Sequence, residues 1–128
     1  MGLFRLCLLL VLLGTTSPAA EVEPRGVRPG RLADLQGEIV EVGCYLRDGH
    51  RGEAHKGCAL ACLQNGGQLG LLEDDSGVLY PLAGAHPASD PSAAARELIA
   101  ARVTVRGRVH ERAGSRVLVI EEIEALGR

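Results

Sequence analysis

Residues 102–111 alternate apolar and polar side chains without a break, and this alternation constrains the fold more than any other feature of the chain. The apolar side carries Val103, Val105, Gly107 and Val109. A period of two residues is typical of a half-buried β-strand. The turn residues 113–115 (AGS) follow, and the apolar run 116–123 then predicts a returning strand. The C-terminal part of the chain therefore predicts a β-hairpin.

Upstream, residues 37–46 (GEIVEVGCYL) predict the first strand of the domain. Its core-facing side would carry Val40, Val42, Cys44 and Leu46. The polar, glycine-rich residues 48–57 predict a loop. Residues 57–64 (GCALACLQ) predict a short helix because alanine and leucine are frequent there, and residues 65–67 (NGG) end it.

The middle of the chain predicts a second hairpin and a second helix. Residues 68–73 and 78–82 are short apolar runs, and the turn sequence 74–77 (DDSG) separates them. Ser89-Asp90-Pro91 is a helix start sequence, so the alanine-rich residues 92–101 predict a helix. The predicted order is strand, helix, strand, strand, helix, strand, strand.

Five strands with a helix between the third and the fourth have the element order of an OB-fold barrel. The segments GEIVEVGCYL (37–46) and VTVRGRVHERAGSRVLVIEEIEAL (103–126) resemble exported bacterial OB-fold proteins of the nucleic-acid-binding-like superfamily. The resemblance covers most of residues 35–126 and rests on β patterning and a few glycines. The short helix predicted between strands 1 and 2 departs from the plain pattern of that family. The resemblance implies a mainly β domain, a five-stranded OB-fold-like barrel with another short helix between strands 3 and 4. It implies no particular activity, because unrelated functions share a fold.

The N-terminal residues 1–20 predict a cleaved signal peptide. A positive charge precedes the apolar run 6–13, and small residues follow it at 15–20. The run is shorter than the roughly 20 residues that span a bilayer. The proline- and glycine-containing residues 21–31 predict a linker, and residues 32–128 the OB-fold-like domain. We therefore expect an exported protein, periplasmic or extracellular, that is not an integral membrane protein after cleavage.

Charge and aromatic content argue against nucleic acid as a partner. Without the leader, whose only charged side chain is Arg5, 13 of the 14 basic residues remain against 16 acidic ones, a net charge of −3. Aromatic residues make up 2% of the chain, and outside the leader these are Tyr45 and Tyr80. Single-stranded nucleic acid is usually bound by aromatic stacking and a positive groove, so this class of partner is disfavoured.

The domain contains three cysteines, Cys44, Cys58 and Cys62, and His55 lies three residues before Cys58. If the predicted helix extends back by one turn, the H-x2-C-x3-C spacing places His55, Cys58 and Cys62 within an arc of about 60°. Cys44 would reach the same place from the core-facing side of the first strand. Three thiolates and one imidazole form a tetrahedral ligand set for zinc, and soft sulfur also suits copper(I). The sequence therefore predicts that these four residues bind a metal ion or serve as reactive thiols.

A disulfide is the main alternative, since exported proteins usually oxidise their cysteines. Cys44 paired with Cys58 or with Cys62 would fasten the inserted helix to the barrel and stabilise the fold by about 2–4 kcal/mol. One thiol would then be left over. Three inert buried thiols are a further alternative. His50 is either another ligand or, as the polarity of its loop favours, a solvated side chain.

Motifs of other function classes are missing from the sequence. It has no C-x-x-C-H for haem, no G-x-S-x-G or H-E-x-x-H for hydrolysis and no phosphate-binding loop. We therefore predict no catalytic residue and neither a nucleotide nor a haem cofactor. Two hypotheses remain. One is an exported metal-binding or thiol-redox protein that works with a metal-delivery or other protein partner; the other is a non-catalytic OB-fold interaction module with a structural disulfide.

Overall fold

The structure, a computed structural model, describes residues 30–127. The predicted signal peptide 1–20 and all but the last two residues of the predicted linker 21–31 lie outside this range. The strands are β1 Arg31–Glu41, β2 Leu69–Glu73, β3 Leu79–Ala83, β4 Arg102–Arg112 and β5 Ser115–Ala125. The α-helices are α1 Val42–Asp48 and α2 Lys56–Gln64, and two single 3-10 turns span Glu53–His55 and Arg96–Leu98.

The strands form a closed barrel in the order β1-β2-β3-β5-β4, which confirms the predicted mainly β, five-stranded barrel. β1 pairs antiparallel with both β2 and β4, whereas β3 and β5 are parallel and close the barrel through Leu82↔Leu118 and Ala83↔Val119. In residues 30–127 no helix is long and apolar enough to cross a membrane.

Aliphatic side chains fill the barrel, as the shortage of aromatic residues requires. The largest fully buried side chains are Ile39, Leu69, Leu71, Leu82, Ile99, Leu118, Val103 and Val105. The predicted alternation of β4 is confirmed, since its three valines and Gly107 are buried while the residues between them are not. The hairpin turn predicted at 74–77 and the helix predicted over 57–64 are also confirmed, the latter as α2.

The prediction that residues 37–46 form one strand was wrong in its second half. The strand ends at Glu41, and Val42–Asp48 form α1 instead. The buried carboxylate of Glu41 accepts a hydrogen bond from the backbone N–H of Cys44 and so caps the new helix. Gly49, with φ of +70°, ends it in the left-handed conformation. Leu46, predicted to face the core, is 69% exposed.

The helix predicted over 92–101, between β3 and β4, was also wrong. The segment forms turns and the single 3-10 turn Arg96–Leu98. Its last residues pair with β1: Ile39 donates to the Ala101 carbonyl at 3.1 Å, and Ala100 donates to the Ile39 carbonyl at 2.8 Å. Both α-helices therefore lie between β1 and β2. Pairing with the barrel satisfies backbone groups that a helix would otherwise satisfy, so tertiary contacts override local propensity.

We predict that Gly37→Ala destabilises the barrel, because a Cβ at this position would overlap the Leu72 carbonyl on β2. The free energy of unfolding should fall by about 1–3 kcal/mol in equilibrium urea unfolding. Gly57→Ala in α2 is the matched control, since its new Cβ would meet no atom within 4 Å. The control should be neutral or up to about 1 kcal/mol more stable. Equal stabilities for the two variants would contradict this account of β1–β2 packing.

Candidate metal centre

Three thiols from two helices meet on the outside of the barrel. Cys44 lies on α1, and Cys58 and Cys62 lie one turn apart on α2. The three sulfur atoms all lie within 4.8 Å of one another, and Cys44 Sγ is 3.6 Å from Cys62 Sγ. Within residues 30–127, this is the one group of three or more Cys, His, Asp or Glu ligand atoms spaced so closely. The three cysteines are therefore positioned to hold a metal ion.

The thiols are free, and they differ in exposure. Cys44 is buried, Cys62 is half-buried and Cys58 is exposed. No disulfide joins any two of them, so the structure does not support the predicted alternative of a disulfide from Cys44 to either partner. The cluster thus reaches from the surface of the barrel out to solvent, with its open side at Cys58.

The buried carboxylate of Glu41 fastens the two helices that carry the cysteines. One oxygen accepts from the Cys44 N–H at 2.7 Å, and the other accepts from the Gln68 N–H at 3.3 Å, just after α2 ends. Val42 and Gln68 are also joined directly, by a backbone hydrogen bond of 2.8 Å. Because the Glu41 carboxylate accepts hydrogen bonds both from the start of α1 and from the residue that follows the end of α2, Cys44 and Cys62 are brought into contact.

Glu41 and Cys44 perturb each other's ionisation. Burial by itself would raise the pKa of Glu41, but hydrogen bonds from the Cys44 thiol and from nearby backbone N–H groups outweigh burial and lower it. In return, the hydrogen bond to Glu41, burial and the neighbouring Cys62 raise the pKa of Cys44 to about 12. The Cys44 thiol is therefore protonated at neutral pH without metal, and a metal ion binding its sulfur has to displace that proton.

His55, the fourth predicted ligand, does not join the sulfur group. It precedes α2, and its ring lies against that of His50, with the ring centroids 4.6 Å apart. The Nε2 atom of His55 is buried and has no hydrogen-bond partner in the described part of the chain. The structure thus brings together three of the four predicted ligands and places His55 beside His50, which sequence reasoning had favoured as a solvated side chain.

Glu41 is the site residue that sequence reasoning missed. An acidic residue three positions before Cys44 is compatible with a capped helix start, but Ser, Thr, Asp and Asn are the usual capping residues. The valines at 40 and 42 also continue the alternation of a strand through this position. Only the contact with Gln68, which is distant in sequence, makes the helix start favourable here.

We predict that Glu41→Ala lowers the free energy of unfolding by about 1–3 kcal/mol, because it leaves two backbone N–H groups without their acceptor. Equilibrium urea unfolding measures the change. Glu124→Ala, which removes an exposed glutamate from β5, is the control and should stay within about 0.5 kcal/mol of the wild type. A loss of stability in the Glu41 variant no larger than in the control would contradict the role of the Glu41 carboxylate in joining α1 to the end of α2.

The same carboxylate predicts a pH dependence. Since its pKa is lower in the folded than in the unfolded protein, where 4.5 is the ordinary value, ionised Glu41 stabilises the fold above that pH. This contribution should be lost as the pH falls below about 5. In thermal unfolding, wild type and Glu41→Gln should therefore differ most near neutral pH and converge in acid. A stability difference between the two proteins that grows as the pH falls would contradict a lowered pKa of Glu41 in the folded state.

Comparison of the chain with protein families, with curated proteins and with solved structures finds no match. The geometry of the site is therefore what indicates a function. That geometry consists of three free thiols whose sulfurs lie within 4.8 Å of one another, on two helices that a buried carboxylate joins, with one thiol exposed to solvent.

Proposed function

We propose that this protein is an exported metal-binding protein in which Cys44, Cys58 and Cys62 hold zinc or copper(I). The single observation that carries the proposal is the mutual approach of the three sulfurs within 4.8 Å. Cys58 and Cys62 lie one turn apart on α2, and Cys44 joins them from a different helix. Thiolate sulfur is the preferred ligand for both metals.

The spacing of the sulfurs fits such an ion. With Zn–S bonds of about 2.3 Å, two ligands of a tetrahedral zinc lie about 3.8 Å apart. The distance of 3.6 Å between Cys44 Sγ and Cys62 Sγ is close to that value. A metal ion would need little movement of these two side chains, and the closed barrel beneath them keeps α1 and α2 in place.

The fourth coordination position determines how such a site works. His55, predicted from its spacing, would have to turn away from His50 to reach the sulfurs. As the side chains lie, the open side next to Cys58 leaves that position to water or to a ligand from another molecule. An accessible position allows a metal ion to be exchanged by ligand substitution, which supports a partner that delivers or removes it.

The strand order of the barrel and the signal peptide predicted at residues 1–20 are both compatible with an exported metal-binding protein. The strand order β1-β2-β3-β5-β4 is compatible with an OB fold, to which the resemblance of residues 35–126 also points. The leader predicted at 1–20 would direct the protein to the periplasm or the exterior. There, a bound metal ion would keep the thiols from oxidising. We therefore favour metal binding over the alternative of an interaction module with a structural disulfide.

Titration of the reduced protein with cobalt(II), a spectroscopic substitute for zinc, tests the proposal. We predict a thiolate-to-cobalt charge-transfer band that saturates at one equivalent per chain and disappears when zinc is added. Cys58→Ser removes an exposed ligand and should weaken binding at least about tenfold without unfolding the protein. Ala61→Ser, also exposed on α2, is the matched control and should bind as the wild type does.

The titration also separates the two hypotheses. The absence of a charge-transfer band with cobalt(II), together with no copper(I) bound under anaerobic conditions, would overturn the metal centre. A disulfide recovered from the purified protein by thiol counting would then favour the interaction module.

A further inference from the structure

The loop between the two helices folds back onto the barrel next to the sulfur cluster. Gly49 and Gly52 both have positive φ, which lets the chain reverse direction twice within four residues. The Gly52 N–H donates to the Glu38 carboxylate on β1 at 2.5 Å, and the His55 N–H donates to the Gly52 carbonyl at 3.0 Å. These contacts hold His50 and His55 side by side against β1.

The two imidazoles border a cleft of their own. Its volume is about 10 Å³, which is room for one water-sized species. Glu38 contributes to its wall, and the apolar side chains of Ile39, Ala59 and Ile99 lie beneath it. Of the described residues that line the cleft, none is a cysteine. The cleft is therefore separate from the sulfur cluster, although α2 borders both.

The cleft contains a nitrogen atom that lacks a partner. His55 Nε2 is buried and makes no hydrogen bond to any residue in 30–127, while its ring lies 4.6 Å from that of His50. Buried polar atoms in proteins are nearly always paired with protein, water or an ion, so this buried imidazole nitrogen is available to a ligand that enters the cleft. Two neighbouring imidazoles favour a cation as that ligand.

We infer that His50 and His55 form a second metal site, which binds a divalent cation of borderline softness such as zinc(II) or copper(II). Imidazole nitrogen suits these ions, and water would complete the coordination. None of the three cysteines is a ligand at this second site, although Glu41, which positions Cys44, also borders the cleft. The protein would then hold two ions in different surroundings, one among sulfurs and one among nitrogens.

Charges around the cleft permit a cation. Two acidic residues, Glu38 and Glu41, and two basic residues, Arg51 and Lys56, border the cleft. The Lys56 ammonium lies 3.9 Å from the Glu53 carboxylate, which offsets part of its charge. Arg51 is exposed, so solvent screens it. Acidic residues and the arginine and lysine around the cleft are therefore equal in number, so these side chains leave no excess positive charge against a cation.

Cadmium-113 NMR of the reduced protein tests the inference, because sulfur and nitrogen ligands give widely separated cadmium resonances. We expect two resonances and two bound equivalents, a deshielded one from the thiolates and a shielded one from the imidazoles. His50→Ala should remove the shielded resonance, weaken binding of the second equivalent at least tenfold and leave the deshielded resonance unchanged. Cys58→Ser should do the reverse. His50 lies in an exposed loop, so its replacement should not affect folding.

His86→Ala, which removes an exposed histidine outside the cleft, is the matched control and should retain both resonances. A wild-type protein that binds only one equivalent, or a second equivalent that survives both His50→Ala and His55→Ala, would overturn the imidazole site. So would a shift of the deshielded resonance in His55→Ala, since His55 would then be a ligand of the sulfur centre. Loss of the deshielded resonance alone would count against the thiolate centre but not against this site.

Discussion

The carboxylate of Glu41 lies where β1 ends and α1 begins, and it accepts backbone N–H groups from Cys44 and from Gln68. A buried carboxylate is strongly unfavourable unless donors surround it, so this position is stable only when both helices come to it. The strand has to stop, α1 has to start, and α2 has to return its last turn to the same point. The meeting of Cys44 with Cys62 is a consequence of that requirement.

The parts of the fold that could be predicted are those that depend on local pattern. The alternation in β4 and the composition of α2 determine those elements from residues close in sequence. The start of α1 could not be read in this way, because a glutamate is a poor general cap and acts here through the distant Gln68. Similarly, residues 92–101 favour a helix by composition, but their end pairs with Ile39 on β1.

The candidate site also combines features that local sequence determines with features that depend on distant contacts. The spacing of Cys58 and Cys62 on one helix is local, and the pairing of that helix with Cys44 was predicted correctly although Cys44 was placed on the wrong element. The direction of the His55 ring depends on the reversal of the loop at Gly49 and Gly52. Residue spacing along a helix does not predict that reversal. His55 was therefore expected among the sulfurs, whereas its ring lies beside that of His50.

Everything between β1 and β2 can be regarded as an insertion into one hairpin of the barrel. Glu41 is paired directly with Leu69, and the hydrogen bond from Val42 to the Gln68 carbonyl extends that pairing by one step. The insertion therefore leaves and re-enters the sheet at adjacent positions, so closure of the barrel does not depend on its length. Since the entropic cost of closing a loop grows only slowly with length, a barrel can carry such an insertion at little cost in stability. The strands supply most of the aliphatic core, to which residues 42–68 add Ala59 from α2. The thiols and the paired imidazoles lie on this same insertion, which therefore carries the binding chemistry while the strands maintain the barrel.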